Sequence, residues 1–107
     1  MAAERVEKYH LDSLKLLGDN NPGKIAAEVK KLRTWLTKHQ EERLPDGAKG
    51  KLFTTIQGYF KAGQATPELS DQTRGLVEDL LKLPEGKLVS AKAKRSALRW
   101  LGGEGVV

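Results

Sequence analysis

The clearest hydrophobic pattern lies between Asn21 and Leu44. Ile25, Val29, Leu32 and Leu36 recur at intervals of four, three and four, which is one stripe of a 3.6-residue helix. Ala26 and Trp35 widen the stripe, and Lys30, Lys31, Arg33 and Lys38 fall mostly on other faces. Asn21 is placed to cap the helix and Pro22 suits its first position. Leu44-Pro45-Asp46-Gly47 reads as a stop followed by a turn. The other helices are expected to pack against this stripe.

The rest of the chain divides at its turn formers. Glu4 to Leu17 reads as a first helix, with Val6, Tyr9 or His10, Ser13 and Leu17 on one face and Leu11 and Leu14 beside it. Gly18 suits its C-terminus, and the short run from Gly18 to Gly23 makes helices one and two antiparallel neighbours. Pro45 to Gly50 reads as a breaker cluster and a connection. Lys51 to Ala62 follows as a third helix with overlapping stripes of Leu52, Ile56 and Tyr59 and of Phe53, Ile56 and Phe60. Thr54, Thr55 and Gly58 disfavour helix there. A strand would nevertheless have no partner elsewhere, so helix is preferred. Thr66 caps a fourth helix with Pro67 in its first turn, and Leu69, Thr73, Leu76 or Val77, Leu80 and Leu83 form its stripe. Pro84-Glu85-Gly86 ends it. A fifth helix runs from Ala91 to Leu101 behind Ser90, closed by Gly102-Gly103, and the tail 102–107 is expected to fray. The pattern predicts an all-α fold: a small, mainly antiparallel helical bundle of four to five helices in one domain over 1–107, with a basic C-terminal segment at 87–101.

Composition narrows the class. Charged residues make up 31% and apolar residues 38% of the 107, too apolar for general disorder and too polar for a membrane protein. No run approaches the roughly 20 apolar residues of a bilayer span. The opening MAAERVEKYH reaches charges at once, so the chain is read as intracellular and cytoplasmic. There is no cysteine, which removes disulfides and thiolate zinc sites. The formal charge is +5. Residues 87–107 hold five Lys/Arg against one Asp/Glu, whereas 1–45 hold nine against seven and 46–86 five against six. A local excess points to an anionic partner better than a diffuse one.

Candidate chemistry is sparse. His10 and His39 belong to no His-x3-His or HExxH pair, and three or four zinc ligands are not in view. Gly47-Ala48-Lys49-Gly50-Lys51-Leu52 follows a phosphate-binding loop only partly: Pro45 stands where its first glycine belongs, Leu52 replaces the metal-binding Ser or Thr, and no hydrophobic strand precedes it. Glu41-Glu42 and Glu78-Asp79 are adjacent, so on a helix each pair diverges by about 100° and reads as a solvated face. No Ser is oriented by a His and an acid. These features predict no catalytic residue, cofactor or metal.

The fifth helix carries the sharpest signal. Counted from Ala91, Arg95, Arg99 and Lys92 fall at about 40°, 80° and 100°, while Trp100, Ala93, Ala97 and Leu101 fall between about 180° and 280°. With Lys87 and Lys94, these cations are candidate contacts for an anionic partner. Trp35 and Trp100 are candidate interface anchors, since tryptophan often fills that role. The leading expectation is a non-enzymatic helical interaction module that binds a protein partner within a larger assembly. The alternative is a nucleic-acid-binding accessory domain that uses the basic C-terminal segment.

Overall fold

Helices two and four form where an apolar stripe meets a side-chain cap and a proline in the first turn. The computed structural model describes the backbone of residues 2–105 and the side chains of 3–102. It contains α1 (Ala2–Asp19), α2 (Pro22–Lys38), α3 (Asp46–Ala62), α4 (Pro67–Lys82) and α5 (Ala91–Gly105). The all-α bundle expected from the pattern is what forms. Asn21 caps α2, its Oδ1 accepting from the Lys24 N–H at 3.2 Å, and the Thr66 hydroxyl caps α4 by accepting from Leu69 N–H at 3.2 Å. The α2 stripe is wholly buried, with Ile25, Val29, Leu32 and Leu36 inside the core and Ala26 and Trp35 at its edges.

Several boundaries differ from the sequence reading. Helix α1 continues past Gly18 and stops at Asn20, which takes a left-handed φ of 54° and donates its N–H to the Leu16 carbonyl at 3.1 Å. Asn tolerates that conformation at a helix end nearly as well as glycine. Helix α2 ends at Lys38 rather than near Leu44, because Leu44 must turn inward. It is buried in the core and its N–H donates to the Lys87 carbonyl at 3.0 Å. Helix α3 begins at Asp46, not Lys51. The supposed breaker cluster is its first turn: Pro45 is extended at the cap position and Asp46 lies at the positive end of the helix dipole, where an acid is favourable. Helix α5 passes through Gly102 and Gly103. Glycine weakens a helix by about 1 kcal/mol but does not forbid it, and Trp100 and Leu101 just before are held against the core. Of the tail expected to fray, Val106 and Val107 lie outside the described residues, as does Met1 at the other end of the chain.

The helices close into a ring in the order α1, α3, α5, α4, α2, with narrower contacts from α3 across to α2 and α4. Helices α1 and α2, joined by the tight turn at Asn20 and Asn21, do meet antiparallel: Tyr9 packs on Trp35, and Arg5 lines the same groove as His39 and Glu42. Their broadest faces, however, go to α3 and α4 respectively. Along α1 and α3, Glu7 binds Lys51, His10 meets Thr55 and Leu17 lies over Gly58, so these two helices run in the same direction. Helix α3 forms despite its poor propensity because Leu52, Thr55, Ile56, Tyr59 and Phe60 are all buried. The Thr54 and Thr55 hydroxyls donate back to the Gly50 and Lys51 carbonyls.

Helices α2 and α4 are joined through Arg33. Its Nε donates to Asp79 at 2.9 Å and its Nη1 to the Gln72 side-chain oxygen at 2.8 Å. The guanidinium lies over Gly75, where an added Cβ would collide with it. At one end of the ring, the 39–45 and 83–90 loops lock together. Gly86 holds a φ of 82°, a conformation that glycine adopts without strain. Its carbonyl accepts from Lys49 Nζ at 2.7 Å and Arg43 Nη1 at 3.2 Å.

Candidate functional site

The α1–α2 seam opens outward as a groove of about 870 Å³. Arg5 and Tyr9 come from one side of α1, a helical turn apart. Helix α2 supplies Ala27, Lys30, Lys31, Thr34, Trp35 and Lys38, and the turn after it supplies His39 and Glu42. The arrangement follows from the α2 pattern. Its apolar stripe faces inward, so the polar positions 30, 34 and 38 form an outward crest at four-residue spacing. The crest residues Lys30, Thr34 and Lys38 also border a second hollow of about 520 Å³ on the α4 side.

The floor is rigid. Trp35 is only 8% exposed and is wedged between two rings. Tyr9 meets it edge-on at 5.8 Å and His39 lies tilted against it at 5.1 Å. His39 is the C-cap of α2, its N–H donating to the Trp35 carbonyl at 3.0 Å, and its ring is bonded to Glu42. Burial pushes the Tyr9 phenol above its ordinary pKa, with nearby Arg5 opposing and Glu28 and Asp12 reinforcing the shift. The phenol therefore stays neutral and keeps its proton. On the rim, Arg5, Lys30 and Lys38 are exposed and form no ion pair among the described residues. Lys31 shares its charge with Glu28 at 3.7 Å. The groove thus presents net positive charge above an apolar floor.

No family model, curated protein or solved structure matches this chain.

The residues singled out in the sequence divide into two sets. Lys92, Arg95 and Arg99 form the exposed edge of α5 that the helical count predicts. Lys87 and Lys94 turn toward the fold: Lys87 Nζ binds Glu41 at 2.7 Å and Lys94 Nζ donates to the Leu83 carbonyl at 2.6 Å. Lys87 also precedes α5, in the loop. Of the two tryptophans, Trp35 floors the groove, while Trp100 docks on α3. Trp100 stacks on Phe60 at 6.2 Å and its Nε1 donates to the Phe60 carbonyl at 3.1 Å.

The remaining candidates are accounted for by local contacts. His10 Nδ1 lies 3.3 Å from the Thr55 hydroxyl between α1 and α3. The phosphate-loop-like run lies inside α3, with Lys49 bonded to Gly86 and Lys51 to Glu7. Among the described residues, no three His, Cys, Asp or Glu side chains gather to hold a metal. No helix of the described residues is long and apolar enough to cross a membrane. Sequence reasoning missed Arg5, Lys30 and Lys38. The signal present was the 30-34-38 spacing, which reads equally as an ordinary solvated face.

Proposed function

We propose that this chain is a non-enzymatic helical interaction module that binds a protein partner within a larger assembly. The α1–α2 groove carries the reading. It joins a packed aromatic floor to a rim of exposed cations without ion pairs among the described residues, which is the combination of anchor and steering charge found at interfaces. Leu11 and Leu14, 56% and 55% exposed on α1, add apolar contact area outside the groove. The reading is tested by affinity purification from native extract, with and without nuclease. A partner protein recovered at fixed stoichiometry, insensitive to nuclease, is expected. Recovery that vanishes with nuclease treatment refutes it.

One observation favours a second reading, nucleic-acid binding. Lys92, Arg95 and Arg99 share one exposed edge and form no ion pair among the described residues. If that edge meets phosphates, log affinity falls linearly with log salt with a slope of about −2 to −3. Changing all three to Glu then nearly abolishes binding. Only weak nucleic-acid binding is expected.

A further inference from the structure

We infer that the α1–α2 groove receives a carboxylate-rich segment of the protein partner. This rests on the interaction-module reading and specifies its chemistry. The sign of the charge comes first. Arg5, Lys30 and Lys38 are exposed and have no ion-pair partner among the described residues. The nearby acids are already engaged, Glu42 with His39 and Glu28 with Lys31. Free charge in the groove is therefore positive, and a ligand with closely spaced carboxylates complements it.

Geometry then selects a peptide over a nucleic acid. Single strands gain much of their affinity by stacking bases on open aromatic faces. Trp35 offers none, because Tyr9 and His39 cover it and it is 8% exposed. A DNA duplex is stiff and convex, a poor match to a concave seam between two helices. A peptide can lay its chain along the seam, place carboxylates against the rim, and set an apolar side chain near Ala27. The neutral Tyr9 phenol is at hand as a hydrogen-bond donor. Cations of one sign along a concave seam with apolar walls focus their field on an anionic chain.

The test is fluorescence anisotropy with a labelled glutamate-rich peptide in about 0.15 M salt, where the screening length is about 8 Å. Three forms of the full chain are compared: wild type, Lys30→Glu with Lys38→Glu, and the charge-matched Lys92→Glu with Arg95→Glu. All four positions are exposed, so the variants are expected to keep the wild-type circular dichroism. The groove pair should weaken binding at least about tenfold and the α5 pair no more than about twofold, since the rim cations act locally. In ¹H–¹⁵N spectra the Trp35 indole resonance should move on peptide addition and that of Trp100 should stay. Equal losses in both variants reduce the effect to net charge and overturn the inference. Tighter, groove-dependent binding of a single-stranded oligonucleotide of equal charge overturns it in favour of nucleic acid. A nuclease-resistant partner retained by Lys30→Glu with Lys38→Glu refutes the groove while leaving the module reading intact. Absence of any such partner refutes the module reading itself.

Discussion

Tyr59 is fully buried, and among the described residues its hydroxyl is the one buried side-chain polar atom without a hydrogen-bond partner. An unmade buried hydrogen bond is unfavourable, whereas the ring contributes by packing. Tyr59→Phe is therefore expected to raise stability by about 1 kcal/mol in urea unfolding. Burial, reinforced by Glu28 and Asp12, pushes the phenol well above its ordinary pKa. Below about pH 10 both folded and unfolded chains keep the phenolic proton, so the stabilisation is fully present. As pH rises further the unfolded chain releases the proton first, and stability falls. Tyr59→Phe should lessen that alkaline loss; an identical pH profile in both proteins excludes this role. On α2, Leu32→Ala should destabilise by roughly 2–5 kcal/mol. Lys31→Ala, on the exposed face, should change stability by no more than about 0.5 kcal/mol. Equal urea midpoints for these two variants contradict the stripe.

At the scale of elements, α3 illustrates tertiary context overruling propensity. Its Thr54, Thr55 and Gly58 are poor helix formers, yet the helix holds because α1 and α5 cover its two sides. A peptide of residues 46–62 alone should show little helix by circular dichroism, since short helices are marginal in water without packing. A strongly helical peptide would contradict this account. Trp100 ties α5 to the same helix through Phe60. Trp100→Ala is expected to destabilise by about 2–3 kcal/mol, below the value for a fully buried ring because Trp100 is partly exposed. A loss of partner binding without a loss of stability would instead mark it as an interface anchor.

For the whole molecule, the closed ring makes its parts interdependent. The radius of gyration is 12.7 Å, close to the roughly 13 Å expected for a folded chain of this length, and one continuous cluster of buried side chains spans all five helices. Trp35 reports on the α1–α2 seam and Trp100 on the α3–α5 contact. Their fluorescence and the far-UV helical signal should therefore lose structure at one denaturant concentration, as two-state unfolding requires. Separate transitions for the two tryptophans would show that the ring opens in parts.

The sequence by itself determined the local elements: the α2 stripe, the Asn21 and Thr66 caps, the inward set on α4 and the cationic edge of α5. These are set by residues three and four apart, whose geometry a helix fixes without help. Boundaries were less legible because Pro45, Gly47 and Gly102 mark helix ends only by preference, and packing of Leu44, Leu88 and Trp100 decides where the chain turns. The groove was not legible at all. Arg5 and Tyr9 lie far in sequence from Lys30 and Lys38, and the charge sum over 1–45 is lowered by acids such as Glu4, Asp12 and Glu41 that lie outside the groove. Likewise, Lys87 and Lys94 counted as surface cations until the fold supplied Glu41 and the Leu83 carbonyl. Which helices share their broadest faces, and which charges are left facing solvent, depend on side chains meeting across the ring, and only the tertiary structure brings those together.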